Sequence, residues 1–184
     1  MDLVSAEEME LYLGLDSGDG GSRLSSIISS ISMVMARFSG RDGWGPASSR
    51  TEYHHGGTNY IATRYYPIAS VTSINDDPDH EWSSSSAIDA TDYYASTERD
   101  GMIWFAGNFT LLPGGKSVKL VYTGGYSAIS AVPVDLKLAA QIQIKKEWDS
   151  LVRRGAGEPA GEPGEVLPEV RAILLNHTRK IPFA

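Results

Sequence analysis

The residues best equipped for chemistry in this chain fall in a few short stretches, and each is weighed by its spacing. Gly114-Gly115-Lys116-Ser117 has the glycines, lysine and hydroxyl that close a phosphate-binding loop. That loop also needs a glycine where Thr110 stands, and it must open a helix. Val118-Lys119-Leu120-Val121-Tyr122 alternates like a strand instead, so a β-turn is expected. His54 and His55 carry metal-ligating nitrogens, but neighbours in a strand point to opposite faces. Only Glu52 lies nearby as a further ligand, so surface histidines are expected. Asp76-Asp77-Pro78-Asp79-His80 offers oxygens suited to calcium, without the spaced acid–glycine–glutamate pattern of a binding loop. A polar surface loop is the simpler reading. Serines are abundant, yet none stands in Gly-x-Ser-x-Gly. Trp82, Trp104 and Trp148 read as core or interface anchors. No catalytic residue, metal ligand or cofactor site is assigned, and an enzyme is not expected.

Composition sets further bounds. The 184 residues are 41% hydrophobic and contain no cysteine, which excludes disulfides and thiolate-held metals within them. No apolar run approaches the ~20 residues of a membrane span. The first residues lack a basic region and an apolar core, so cytoplasmic synthesis is expected. A formal charge of −7 argues against broad affinity for nucleic acid or membranes. That charge is uneven. Asp2, Glu7, Glu8, Glu10, Asp16 and Asp19 all precede the first basic residue, Arg23, and Asp76, Asp77, Asp79 and Glu81 lie together. Half of the basic residues lie from Lys137 onward.

The elements that must position these residues read as helix, strands, helix. A short helix is predicted over 5–13, capped by Ser5 and stopped by Gly14. Leu24, Ile27, Ile28, Ile31, Val34, Met35 and Phe38 keep the helical period, which predicts a helix over 22–39 capped by Ser22 or Asp19. A β insertion follows over about 50–126. Thr51 to Tyr53 and Asn59 to Thr63 flank a Gly56-Gly57 turn and read as a hairpin. Ile68, Ser70, Thr72 and Ile74 are expected on one face of the next strand. Tyr93-Tyr94, Met102 to Phe105 and Val118 to Tyr122 are further strands. Pro133 opens a helix over 133–154, with Leu138 and Ile142 on one side and Ile144, Trp148, Leu151 and Val152 extending an apolar stripe. The domain prediction is a core over 1–154, a Gly/Pro/Glu linker over 155–167, and a docking helix with its tail over 168–184. The fold class is α+β, mainly α: a small helical bundle with an inserted antiparallel β block.

The order of several pieces is more specific than any one of them. Tyr66-Pro67-Ile68-Ala69-Ser70-Val71-Thr72-Ser73-Ile74, Asp92-Tyr93-Tyr94, Gly101-Met102-Ile103, Val121-Tyr122-Thr123-Gly124-Gly125-Tyr126 and Val132-Pro133-Val134-Asp135-Leu136-Lys137 follow one another. Over about Leu3 to Arg154 the chain resembles the head–tail connector proteins of tailed bacteriophages, also called adaptor or head-completion proteins. It departs from them in a more polar stretch between His80 and Ala90 and in its last helix, which varies in that family.

The resemblance implies a virion protein of the neck, made in the host cytoplasm. Copies of it, commonly twelve, would form a ring under the portal protein. The ring would extend the channel used in DNA packaging and genome ejection, and receive the next neck or tail protein. Its partners would be itself, the portal, that downstream protein, and double-stranded DNA passing without tight binding. Val170, Arg171, Ile173, Leu174, Leu175, Arg179 and Lys180 of the last helix are the expected docking residues toward the portal or the adjacent subunit. Asp76, Asp77, Asp79 and Glu81 are expected to face the channel and repel phosphate. The alternatives are another neck or tail-completion (stopper) protein, and a β-rich ligand-binding module with Tyr60, Tyr65, Tyr66, Trp82, Tyr93 and Trp104 as an aromatic platform.

Overall fold

The computed structural model describes residues 1–96, 100–107, 110–156 and 165–179. The chain folds as two compact units. A helical unit takes Met1–Trp44 and Ala128–Thr178, and a β unit takes Gly45–Ser127 together with Arg179. The class is α+β.

The helical unit begins with α1 (Ala6–Leu13). Ser5 accepts from the Glu8 N–H at 3.0 Å, and the Glu8 carboxylate accepts from the Ser5 N–H at 2.9 Å. This reciprocal box satisfies two amides that the helix cannot satisfy itself. Gly14 ends the helix in the left-handed region, at φ 71°, where glycine escapes the Cβ clash. Helix α2 (Gly21–Phe38) has no side-chain cap, so neither Ser22 nor Asp19 plays that part. Of its apolar stripe, Leu24, Ile28, Ile31 and Met35 are buried, while Ile27, Val34 and Phe38 are half-buried. The serine face is not uniformly outward. Ser32 is buried, accepts from the Leu3 N–H, and offers its carbonyl to Trp44 Nε1 at 2.7 Å. Trp44, within what reads in the sequence as a turn, is therefore a core residue, with the Arg41 guanidinium over its ring.

Helix α3 (Val134–Gly155) buries Leu136, Ala139, Ala140, Gln143 and Ile144. This corrects the expected stripe: Leu138 and Val152 face outward. The small Ala139 and Ala140 mark the side on which neighbouring helices approach closely. Helix α4 (Pro168–Asn176) lies against α3.

Among its described residues the β unit has six strands: β1 (Ser48–His54), β2 (Tyr60–Ala62), β3 (Ile68–Asp76), β4 (Tyr93–Ala95), β5 (Met102–Phe105) and β6 (Val118–Gly124). They form two antiparallel three-stranded sheets, β1-β6-β3 and β2-β5-β4. Ile61, Ile68, Ile74, Ile103, Phe105, Leu111, Val118, Leu120 and Tyr122 make their shared core. Strand β6 shows the clean alternation of a half-buried strand, with Val118, Leu120 and Tyr122 inward.

Two sequence expectations fail here for local reasons. The hairpin does not exist: β1 pairs with β6, and β2 pairs with β5. The Gly56-Gly57 turn bonds across to another loop, Gly56 N–H to the Gly114 carbonyl and Gly57 N–H to the Leu111 carbonyl. A Cβ on Gly56 would fall 1.7 Å from the Leu112 carbonyl oxygen, so that crossing needs glycine. In β3 the register shifts twice, between Ile68 and Ser70 and between Val71 and Ser73. Each extra residue resets the alternation. Ile68, Val71 and Ile74 therefore meet the core, while Ser70 and Thr72 stay exposed.

Candidate functional site

The acidic loop after β3 divides into two carboxylates that hold it together and two that it displays. Asp77 is buried and accepts from the N–H groups of Asp79 at 3.0 Å and Trp82 at 2.8 Å. Desolvation would raise its pKa, but these hydrogen bonds prevail and hold it below the usual value. Asp76 Oδ2 accepts from the Leu112 N–H at 2.7 Å, and so ties the end of β3 to the loop before β6. Its Oδ1 is buried with no hydrogen-bond partner among the described residues. Burial pushes the Asp76 pKa up against the Leu112 bond, and the Asp77 charge adds to the rise. Asp79 and Glu81 are exposed, on either side of His80. The His80 ring stacks on Trp82 with 5.5 Å between centroids.

The expected docking helix is largely committed to its own unit. Gln143 of α3, 1% exposed, donates to the Glu165 carbonyl at 2.9 Å and accepts from the Leu167 N–H at 3.0 Å. Lys146 donates to the same Glu165 carbonyl. This clasp delivers Pro168 to the first turn of α4, where its missing N–H costs nothing. Val170 and Leu174 are then wholly buried, and Ile173 is half-buried. At the far end His177, 1% exposed, meets Asp135 at 2.6 Å, which ties the close of α4 to the start of α3. Arg171 and Leu175 point outward.

Arg179 sits in the β unit. It donates Nε to the Asp100 carbonyl at 2.8 Å and Nη2 to the Thr63 carbonyl, with its guanidinium 4.8 Å above the Tyr66 ring. Burial lowers its pKa against the favourable charges around it. It works there as a clamp for backbone carbonyls, not as a rim charge. Lys180 lies outside the described residues.

The most elaborate polar arrangement was not legible as such in the sequence. Glu52 of β1, 9% exposed, accepts from the Tyr122 hydroxyl at 2.5 Å, from His54 Nε2 at 3.0 Å and from the Arg64 N–H at 3.1 Å. The Tyr122 oxygen in turn accepts from the Tyr65 N–H at 3.0 Å. Burial works to raise the Glu52 pKa, but the bonds from His54, Tyr122 and Arg64 lower it below 4.5. The same burial and the adjacent carboxylate push the Tyr122 phenol up. The only signal was Glu52 and His54 spaced two apart, on one strand face. His55, just past the end of β1, is exposed. Among the described residues, no group of three or more histidines and carboxylates is placed to hold a metal. Gly114 to Ser117 form a turn in which the Ser117 hydroxyl bonds the Leu112 and Gly114 carbonyls.

On the sheet β2-β5-β4, register sets Tyr60 opposite Trp104 and Trp104 opposite Tyr94. Opposed residues share a face. The three rings therefore form one row, half-buried at Tyr60 and Trp104 and 59% exposed at Tyr94. Tyr66 is fully buried and is not part of any platform.

No family model and no curated protein matches this sequence. Solved structures do match in fold along nearly its whole length. A chain in the neck of an empty GTA particle computed with C6 symmetry superposes with TM-score 0.66 at 14% identity, over 98% of this chain and 92% of that one. A chain in the virion of the native gene transfer agent (GTA) particle gives TM-score 0.62 at 16% identity, over 99% and 92%. A chain in the neck of the native GTA particle computed with C12 symmetry gives 0.54 at 16%, over 100% and 96%. These identities establish a shared fold. No helix among the described residues is long and apolar enough to cross a membrane.

Proposed function

We propose that this chain is a structural protein of a phage-like neck, a head–tail adaptor that assembles as a ring under the portal and passes DNA to the tail. The observation that carries the reading is the match of both units, helical and β, to chains of GTA particles, two of them in necks computed with C6 and C12 symmetry. A ring of twelve fits such a setting. The ordered motifs of the sequence favour the adaptor over a stopper protein, as do the two long amphipathic helices, α2 of 18 residues and α3 of 22. The parts then have distinct tasks. The exposed Arg171 and Leu175 of α4, with the half-buried Ile173 beside them, are offered to the portal or the adjacent subunit, while Val170 and Leu174 hold the helix in place. Asp79 and Glu81 repel the phosphates of the passing duplex, with Asp76 and Asp77 shaping their loop. An Asp79→Lys/Glu81→Lys chain that held duplex DNA no better than the unaltered one would remove that role. Particles made without this chain are expected to be DNA-filled heads lacking tails. Normal tailed particles in its absence would contradict the proposal.

One observation favours a second reading. The row Tyr60–Trp104–Tyr94 is a partly exposed aromatic surface, its Tyr60 and Trp104 rings tilted by 46°, of the kind that anchors a sugar or a protein partner. Quenching of Trp104 fluorescence by oligosaccharides, with no ring formed, would favour that reading.

A further inference from the structure

The helical unit carries two surfaces of opposite charge that cannot meet within one chain. The first is around α1. Six acidic residues and no basic one occupy positions 1–22. Two of the six are already committed: Glu8 pairs with Lys137 at 2.6 Å, and Glu10 is buried, accepting from the N–H groups of Gly18 and Gly20. Glu7, Asp16 and Asp19 remain exposed. With them stands Leu11, 83% exposed, beside Tyr12 at 40%. Glu7, Glu8, Glu10, Leu11, Leu15 and Ser17 line a groove of about 380 Å³. Its leucines and the exposed carboxylate of Glu7 suit a long cationic side chain with an apolar stem.

The second surface is the end of α3. Positions 145–154 hold four basic residues against two acidic ones. Arg153 and Arg154 are exposed there, and Val152 between them and Leu151 is 56% exposed. The Lys137–Glu8 pair fixes α1 near the start of α3. Lys137 and Arg153 stand sixteen residues apart on α3, about 24 Å along its axis. Side chains do not span that distance. Every copy thus presents an acidic groove with exposed leucine at one end of α3 and an arginine pair with exposed valine at the other.

We infer that these are the two halves of one head-to-tail contact between copies of this chain, Arg153 and Arg154 of one copy entering the acidic groove of α1 in the next. Repetition of such a heterologous contact closes a ring when the rotation permits. Charge complementarity sets the register, and Leu11 and Val152 supply apolar area at its centre. The inference rests on the ring reading above and names the surface by which the ring would be made.

The absence of cysteine makes a clean test possible. The full chain is prepared with Leu11→Cys, with Val152→Cys, and with both, and treated with a short bis-maleimide. The two single variants mixed together are expected to give cross-linked dimers, each alone to stay unlinked, and the double variant to give a ladder of multimers. Arg153→Glu with Arg154→Glu is expected to weaken linking about tenfold or more, and added Glu7→Lys with Asp16→Lys to restore it. Linking of each single variant with itself would overturn the head-to-tail contact. Closed rings seen by electron microscopy with no link between the two positions would overturn this surface and leave the ring reading intact. A linked ladder that never closes into rings would support the contact and count against the ring reading. Absence of both links and rings would overturn both.

Discussion

Glu52 shows most directly how a single residue stabilises the β unit. Its carboxylate terminates three donors from different parts of the chain, at Tyr122, His54 and Arg64. Glu52→Gln keeps the size but weakens the acceptor, and is expected to cost about 1–3 kcal/mol at neutral pH, read by urea unfolding. The folded pKa lies below the ordinary 4.5. The stability Glu52 contributes is therefore present above pH 4.5 and is lost as pH falls through the folded value, so the difference between the two proteins should shrink on acidification. Asp76 has the opposite sign. Its folded pKa is raised above 3.8, so ionisation opposes folding above that range. Asp76→Asn keeps an acceptor for Leu112 and is expected to raise stability at pH 7 by on the order of 0.5–1 kcal/mol. That gain should vanish below pH 3.8, and a loss at neutral pH would show the charge to be favourable.

At the scale of elements, α4 is the piece whose meaning changed most. From the sequence alone, deleting everything from Gly155 onward should spare the fold and abolish only docking. The structure makes that deletion destructive, because Val170 and Leu174 belong to the core of the helical unit and Arg179 clamps carbonyls of the β unit. Leu174→Ala is expected to cost about 2–5 kcal/mol of unfolding free energy, and an unchanged thermal midpoint would show α4 to be detached. The outward variant Leu175→Asp should leave stability within about 0.5 kcal/mol and is the proper probe of docking. The helices and the six strands, though not the pairing of those strands, were legible because their signals are local: the box at Ser5 and Glu8, the period from Leu24 to Phe38, Pro133, and the alternation of β6. What was hidden depends on distant partners. The bulges of β3 answer to β6, the Gly56 turn answers to the Leu111–Gly114 loop, and Trp44 is buried with its Nε1 bonded to the Ser32 carbonyl of α2. The candidate site was legible in the same measure. Exposed Asp79 and Glu81 could be read from turn chemistry, whereas the inward turn of Asp77, Val170 and Leu174 could not.

At the scale of the whole molecule, charge and architecture fit together. A chain of net −7 is a poor ligand for DNA, yet in a ring around a duplex that same charge keeps the duplex moving. In the proposed ring, the acidic and basic surfaces at opposite ends of α3 join one subunit to the next, and the outward face of α4 meets another protein. The central claim is assembly into a ring on the portal. Electron microscopy of the full chain mixed with a phage-type portal protein from the same source tests that most directly. A closed ring seated on the portal, with symmetry matched to it, is the expected result. A chain that stays monomeric and leaves the portal bare under those conditions would contradict the account.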